Sequence, residues 1–181
     1  MKKKFLVGLL AVVMCFALVG CGKTENKDSG NGGSTNNGGS SENSGSTAIS
    51  DISTSNYVNV TKTNFGIDPS VSGLKISKAK AQGSSQITLV YSIESGSEEE
   101  LVKAFFEKCL NASDDKAVYR QEWPNDGGYN VTVGEKVTSW SSWLQDEAYD
   151  QNWFYKVGGK TIAFGGSEQS GKTFEVTINF K

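Results

Sequence analysis

A long polar tract near the start of the chain restricts where a folded core can form. From Gly22 to about Ser50 the sequence consists of Gly, Ser, Asn and Thr with scattered charges and hardly any apolar side chain. Such a segment buries too little surface to offset the entropy lost on folding, so we expect a flexible linker. At about 29 residues its root-mean-square reach is roughly 30 Å, with a stretched limit of about 100 Å. A globular domain is therefore expected only in residues 52–181, a length that suits one core.

The clearest helix signal in this domain lies between residues 97 and 113. Ser97 and Glu100 form a capping-box pattern, and acidic residues follow Ser97, where they favour the positive end of a helix. The apolar side chains that follow recur on one stripe: Leu101, Val102, Phe105, Phe106, Cys109 and Leu110. Cys109 is thereby predicted to be buried and inert rather than a reactive thiol.

Alternation of apolar and polar residues predicts strands on both sides of that helix. Residues 74–80 and 86–94 are predicted to form one hairpin. Residues 116–123 and 129–134 are predicted to form another, because Asp126-Gly127 lies between them.

Near the C-terminal end, Gly158-Gly159 predicts a tight hairpin turn. That turn sets two cross-strand pairs, Trp153 with Phe164 and Tyr155 with Ile162. Residues 57–63 are interpreted as a short strand, and a short helix or helical turn is predicted within 135–152. Together these patterns predict an α+β domain, with an antiparallel sheet of about six strands and one main helix packed on one face. A β-sandwich with peripheral helices is the alternative.

The first residues of the chain indicate its compartment. Lys2, Lys3 and Lys4 precede an apolar run, Phe5 to Leu18. At about 1.5 Å per residue this run reaches only about 21 Å, shorter than a hydrocarbon core of about 30 Å. The pattern is that of a secretory signal peptide rather than a membrane-spanning helix.

The end of that run, Leu18-Val19-Gly20-Cys21, resembles the lipobox of bacterial lipoproteins. The resemblance covers about the first 21 residues and implies cleavage before Cys21 with lipid attached to its sulfur. Residues 1–20 would then be the signal peptide, and 21–51 a lipidated cysteine with a flexible linker. Two or more acyl chains hold a protein firmly to a bilayer, so the expected location is the extracytoplasmic face of the cell membrane. The alternative is an ordinary signal peptide with a chance cysteine. No family resemblance is found for the globular part.

Composition narrows the chemistry that the chain can perform. The sequence contains no histidine, which removes the commonest general base and the commonest transition-metal ligand. Cys15 lies in the signal and Cys21 would be lipidated, so Cys109 is left without a disulfide partner or a zinc-binding companion. We therefore expect no catalytic residues, no cofactor and no metal site, which favours a protein that is not an enzyme.

The charge of the domain bears on its partners. Residues 52–181 carry 13 basic and 16 acidic side chains, a net charge of about −3, and Arg120 is the only arginine. Because nucleic-acid binding depends on concentrated positive charge, no nucleic acid is expected as a partner.

Residues 166–173, GSEQSGKT, match the phosphate-binding pattern G-x-x-x-x-G-K-[ST]. That loop requires a helix directly after it, because the amino end of the helix binds the anion. Here residues 173–181 alternate strictly between polar and apolar and predict a strand instead. Residues 165–172 are therefore interpreted as the loop of a β-hairpin, and no nucleotide is expected as a partner.

The aromatic middle of the chain is the predicted binding surface. Trp123, Trp140, Trp143 and Tyr149 are the candidate ligand-binding residues, because exposed Trp and Tyr rings stack on sugars, although large aromatic residues also build cores. Trp140 and Trp143 are the stronger candidates, since serines surround them. An envelope glycan or a protein partner is the expected ligand.

Five carboxylates supply the alternative chemistry, which is that of an Asp- or Glu-dependent envelope hydrolase. They are Glu122, Asp126, Asp146, Glu147 and Asp150. Solvated surface charge is the other interpretation of these residues. The leading hypothesis is therefore a membrane-anchored, non-catalytic binding module outside the cytoplasm. A hydrolase, or a structural or assembly subunit of an envelope complex, are the alternatives.

Overall fold

The structure, a computed structural model, describes residues 46–124, 130–145 and 151–181. Its described strands are β1 (Leu74–Gln82), β2 (Gln86–Ile93), β3 (Val118–Glu122), β4 (Thr132–Val137), β5 (Asn152–Val157), β6 (Lys160–Gln169) and β7 (Thr173–Phe180). Its described helices are α1 (Tyr57–Phe65), α2 (Glu98–Ala112) and the single turn α3 (Trp140–Trp143), after a 3-10 turn at Ile49–Asp51.

The seven strands form one antiparallel sheet in the order β1-β2-β7-β6-β5-β3-β4. The α+β class is thereby confirmed, with seven strands where about six were predicted. The described residues form a single sheet, so the alternative of a β-sandwich is not found in them.

The core lies between α2 and one face of the sheet. The predicted capping box is present: the Glu100 amide donates to Ser97 Oγ (3.3 Å), and the Ser97 amide donates to Glu100 Oε2 (2.8 Å). Phe105, in the middle of the predicted stripe, packs on Phe164 of β6 and Phe174 of β7, with ring centroids 5.2 and 6.0 Å apart. Aromatic contacts thus join the main helix to the centre of the sheet.

The predicted C-terminal hairpins are confirmed. The β5–β6 register pairs Trp153 with Phe164 and Tyr155 with Ile162 across the Gly158-Gly159 turn. The next hairpin is tighter than predicted, because Gly165 and Gly166 lie inside β6 and the turn begins only after Gln169.

The prediction of a strand at residues 57–63 is wrong, because they lie in α1. Val60, Thr61 and Phe65 are buried, a spacing that places them on one face of a helix. Gly66 ends the helix with a φ of 76°, a left-handed conformation that glycine adopts without steric cost.

The core extends upstream of residue 52. Ile49 and Ile52 are both buried and belong to the same apolar cluster as α1 and α2. Ile49 therefore packs in the domain, although the sequence places it in the linker. None of the described helices is long and apolar enough to cross a membrane.

Candidate functional site: the open face of the sheet

The structure separates the aromatic residues that were predicted to bind a ligand. Trp143 is fully buried, with its ring centroid 5.4 Å from that of Phe106 and 5.7 Å from that of Trp153. Trp140 is half-buried and lies edge-on to Phe106. Trp123 is 62 % exposed, and Tyr149 lies outside the described residues. Trp143 therefore has no ring face available to a ligand in this structure.

The serines around these tryptophans have a local structural role. Ser139 precedes α3, and its Oγ accepts a hydrogen bond from the Ser142 amide (3.2 Å). Serine is a favoured residue at this position, since it satisfies a free amide of the first helical turn. Serines next to tryptophan thus indicate a helix cap here, and not the exposed surface that the sequence suggested.

Arg120 contacts the C-terminal end of α3. Its guanidinium lies 4.6 Å from the Trp143 ring centroid, and Nη2 donates to the carbonyl oxygens of Ser142 (3.1 Å) and Trp143 (3.0 Å). A groove of about 470 Å³ beside this helix is lined by Arg120, Glu135 and Lys136, among others. Because Arg120 already binds the end of α3, its contacts identify it as a structural residue.

The other candidate reactive groups are one thiol and five carboxylates. Burial raises the pKa of the Cys109 thiol to about 12, as expected for the inert cysteine predicted from the helix stripe. Glu122 is exposed at the end of β3, and the other four candidate carboxylates, Asp126, Asp146, Glu147 and Asp150, lie outside the described residues. Within the described ranges, no three His, Cys, Asp or Glu side chains are grouped so that they could hold a metal ion.

The second face of the sheet, here called the open face, presents mainly polar side chains from five strands. The buried apolar residues of all three helices belong to the core on the other side, as Val60, Phe105 and Trp143 illustrate. The open-face positions follow from the strand registers. They are Lys75, Lys78, Lys80 and Gln82 on β1; Gln86, Thr88, Val90 and Ser92 on β2; Thr173, Glu175, Thr177 and Asn179 on β7; Thr161, Ala163, Gly165, Ser167 and Gln169 on β6; and Asn152, Phe154 and Lys156 on β5.

One row of these residues crosses five strands in register. It runs Lys80, Thr88, Thr177, Gly165 and Asn152. Since neighbouring strands lie about 4.8 Å apart, the row is about 19 Å long. It presents an ammonium group, two hydroxyl groups and an amide on a rigid frame.

Gly165 leaves a depression in the middle of the open face. Its volume is about 190 Å³, and it is lined by Gln151, Asn152, Gly165, Gly166, Ser167, Glu175 and Thr177. A Cβ atom at Gly165 would lie 2.5 Å from Asn152 Oδ1, closer than van der Waals contact allows. The glycine therefore permits the Asn152 amide to lie across β6, and the depression presents hydroxyl, amide and carboxylate groups together.

The open face ends at a small apolar cluster near β3. Phe154 and Tyr119 are almost fully buried there. Lys181 Nζ lies over the Phe154 ring at 4.7 Å, and Lys156 Nζ lies over the Tyr119 ring at 4.3 Å. These aromatic rings are covered, so the accessible part of the open face extends from β1 to β5.

Sequence reasoning missed the open face as a site. Its residues come from five strands, and the pairing of β2 with β7 joins segments far apart in the chain. The available signal is the polar half of each alternating strand, such as Thr173, Glu175, Thr177 and Asn179, but alternation alone does not distinguish a binding face from a solvated one. No protein-family model matches the chain, and neither the curated proteins nor the solved structures contain a similar one.

Proposed function

We propose that this chain is a lipid-anchored, non-enzymatic binding module of the cell envelope, and that its open face binds a hydroxyl-rich envelope polymer. The observation that carries the proposal is the row of Thr88, Thr177 and Asn152, the last two of which line the depression at Gly165. This row replaces the predicted tryptophans as the candidate ligand surface.

The chemistry of the row suits a glycan. Sugar hydroxyl groups both donate and accept hydrogen bonds, as do threonine hydroxyls and, through its oxygen and nitrogen, an asparagine amide. Because strands hold these groups, little conformational entropy is lost when a ligand binds. An extended polymer chain suits a surface that is long and nearly flat.

The N-terminal sequence supports the envelope as the place where this binding occurs. The resemblance of Leu18-Val19-Gly20-Cys21 to a lipobox implies an acylated Cys21. A linker of about 25 residues, between Cys21 and the first residues that pack in the domain, would let the domain sample a shell of roughly 30 Å above the bilayer. A module of this kind would keep the polymer and the cell membrane close together.

Calorimetric titration of the full chain in uncharged detergent tests the proposal. The ligands are soluble cell-wall polymer fragments and a neutral polysaccharide, dextran. Thr177→Ile removes a hydroxyl group and adds bulk opposite Gly165 while keeping a residue that favours strands. Loss of one or more hydrogen bonds should weaken binding roughly two- to tenfold.

Thr63→Ile is the matched control, because Thr63 is exposed on α1, away from the open face. The control should bind like the parent. The proposal fails if no envelope polymer binds, or if Thr177→Ile binds as tightly as the parent chain.

A further inference from the structure

Three lysines form a straight row on the open face along the edge strand β1. Lys75, Lys78 and Lys80 are all exposed, and this set is called the lysine row below. Their cross-strand partners are Ser92, Val90 and Thr88, which alternate along β2 and share one face. Because the partners are two residues apart, adjacent lysines are about 7 Å apart along the strand.

A bulge in β1 creates this alignment. Ile76 pairs with Tyr91 and Lys78 with Val90, so Ser77 is an extra residue without a partner of its own. Ser77 Oγ donates to the Val90 carbonyl oxygen (2.9 Å). Without the bulge, Lys75 would lie on the opposite face from Lys78 and Lys80, since the side chains of a strand alternate.

The lysine row has no salt-bridge partner among the described residues. In the described part of the chain, Lys75, Lys78 and Lys80 form no ion pair, whereas Lys62, Lys103 and Lys136 each pair with a carboxylate. Glu175 is the only acidic residue among the open-face positions of β1, β2, β7 and β6, and β2 separates it from the row. A domain with a negative net charge thus carries a line of positive charge on one edge.

We propose that the lysine row binds the repeating anionic groups of a linear envelope polymer whose phosphate or carboxylate groups recur about every 7 Å. This inference rests on the proposed function, since it names the charge of the ligand for the same open face. The hydroxyl groups of Ser92 and Thr88 lie beside the ammonium groups and suit a polymer that also carries hydroxyl groups. Lysines also discourage edge-to-edge strand pairing, a role compatible with ligand binding.

A polymer suits this surface better than a bilayer does. Peripheral membrane binding combines positive charge with large apolar side chains that enter the interface. On the described open face the accessible apolar residues are the half-buried Val90 and Ala163, so nothing projects to insert. The positive charges form a line along one strand, which matches a chain of anions more closely than a sheet of headgroups.

The test compares two variants of the full chain, each of which loses three positive charges. Both are studied in uncharged detergent. K75Q/K78Q/K80Q removes the lysine row, and K62Q/K103Q/K108Q removes three lysines from α1 and α2. The probe is poly(glycerol phosphate), with dextran as the neutral polymer and an anionic phospholipid mixed into the micelles as the lipid arm. Circular dichroism checks that both variants fold.

We expect poly(glycerol phosphate) to bind the parent and the helix variant equally. The row variant should bind roughly tenfold more weakly or worse, and binding by the parent should weaken as salt rises. The inference is overturned if both triple variants lose affinity equally, or if micellar anionic lipid binds in place of the polymer.

The remaining outcomes separate this inference from the proposed function. If dextran binds as tightly as poly(glycerol phosphate), and only Thr177→Ile weakens it, the inference fails and the proposed function stands. If no polymer binds the parent chain, both fail.

Discussion

Lys75 and Lys78 are three positions apart on β1, yet both project from the open face because Ser77 is an extra residue between them. In a regular strand, side chains three positions apart point to opposite faces. The bulge therefore places a charged residue on the surface and keeps Ile76 on the core side.

Deleting Ser77 should destabilise the domain far less than deleting Ala79. Without Ser77, Lys78 follows Ile76 directly and the strand alternates regularly, so the side chains of β1 keep their faces and their partners on β2. This deletion loses one exposed hydrogen bond and should lower the free energy of unfolding by about 1 kcal/mol or less. Deleting Ala79 instead turns a lysine of β1 to the core side, which should cost about 2 kcal/mol or more. Urea denaturation measures both changes, and equal costs would contradict Ser77 as the extra residue of β1.

The two tryptophans at opposite extremes of burial provide a second prediction. Trp143→Ala should lower the free energy of unfolding by about 3–5 kcal/mol, because it leaves a cavity against Phe106 and Trp153. Trp123→Ala is the matched control. Because Trp123 is 62 % exposed, its replacement should change the free energy of unfolding by less than about 0.5 kcal/mol. Chemical denaturation followed by circular dichroism checks both. A small effect for Trp143→Ala would place this residue on the surface, as the sequence suggested.

Asp115 should give the domain a measurable acid sensitivity. The hydrogen bond from the Tyr119 hydroxyl, with help from Ser113 Oγ and from Lys136 Nζ at 3.2 Å, lowers the pKa of Asp115 to about 2. Because the folded-state pKa lies below the ordinary value of 3.8, the ionised carboxylate stabilises the fold above about pH 4. That stabilisation is lost as the pH falls towards about 2.

Tyr119→Phe should flatten this dependence. Urea denaturation between about pH 5 and pH 2 should show a shallower loss of stability for the variant than for the parent. Tyr57→Phe, on α1 at the helical side of the sheet, should keep the slope of the parent. Identical slopes for all three proteins would mean that the Tyr119 hydrogen bond does not set the pKa of Asp115.

The membrane anchor is testable by mass spectrometry of the protein purified from a bacterial membrane. Processing at the lipobox predicts an N-terminal peptide that begins at Cys21 and carries a diacylglyceryl group. Cys21→Ala should abolish both the lipid and the cleavage. A mature chain with an unmodified thiol at position 21, or an intact Met1 start, would contradict the anchor.

Local patterns predicted much of the fold. The capping box at Ser97, the stripe of α2 and the turn at Gly158-Gly159 each depend on residues close in sequence, and all three are present. The segment 57–63 was misinterpreted because Val58 and Val60 alternate with polar residues, while the i, i+4 spacing of the buried Thr61 and Phe65 extends beyond that window. Short apolar runs of this kind are ambiguous between helix and strand.

Most of the candidate site could not be predicted from the sequence. One local signal existed: along β1 the apolar residues Leu74 and Ile76 fall on even positions, and Ala79 and Ala81 on odd ones. That one-residue slip marks the bulge and hence the lysine row. The meeting of Thr88 with Thr177 depends on a pairing of distant segments that no local pattern specifies. The meeting of Asn152 with Gly165, in contrast, follows from the hairpin that Gly158-Gly159 predicts.

Lysine footprinting tests most directly whether the open face is the ligand surface. The full chain is acylated with a lysine-reactive ester in the presence and absence of poly(glycerol phosphate), and modified peptides are quantified by mass spectrometry. We predict that the polymer protects Lys75, Lys78 and Lys80, and leaves Lys62, Lys103 and Lys108 on the helical side as reactive as before. Equal protection of both sets, or protection of the helical side alone, would contradict the open face as the binding surface.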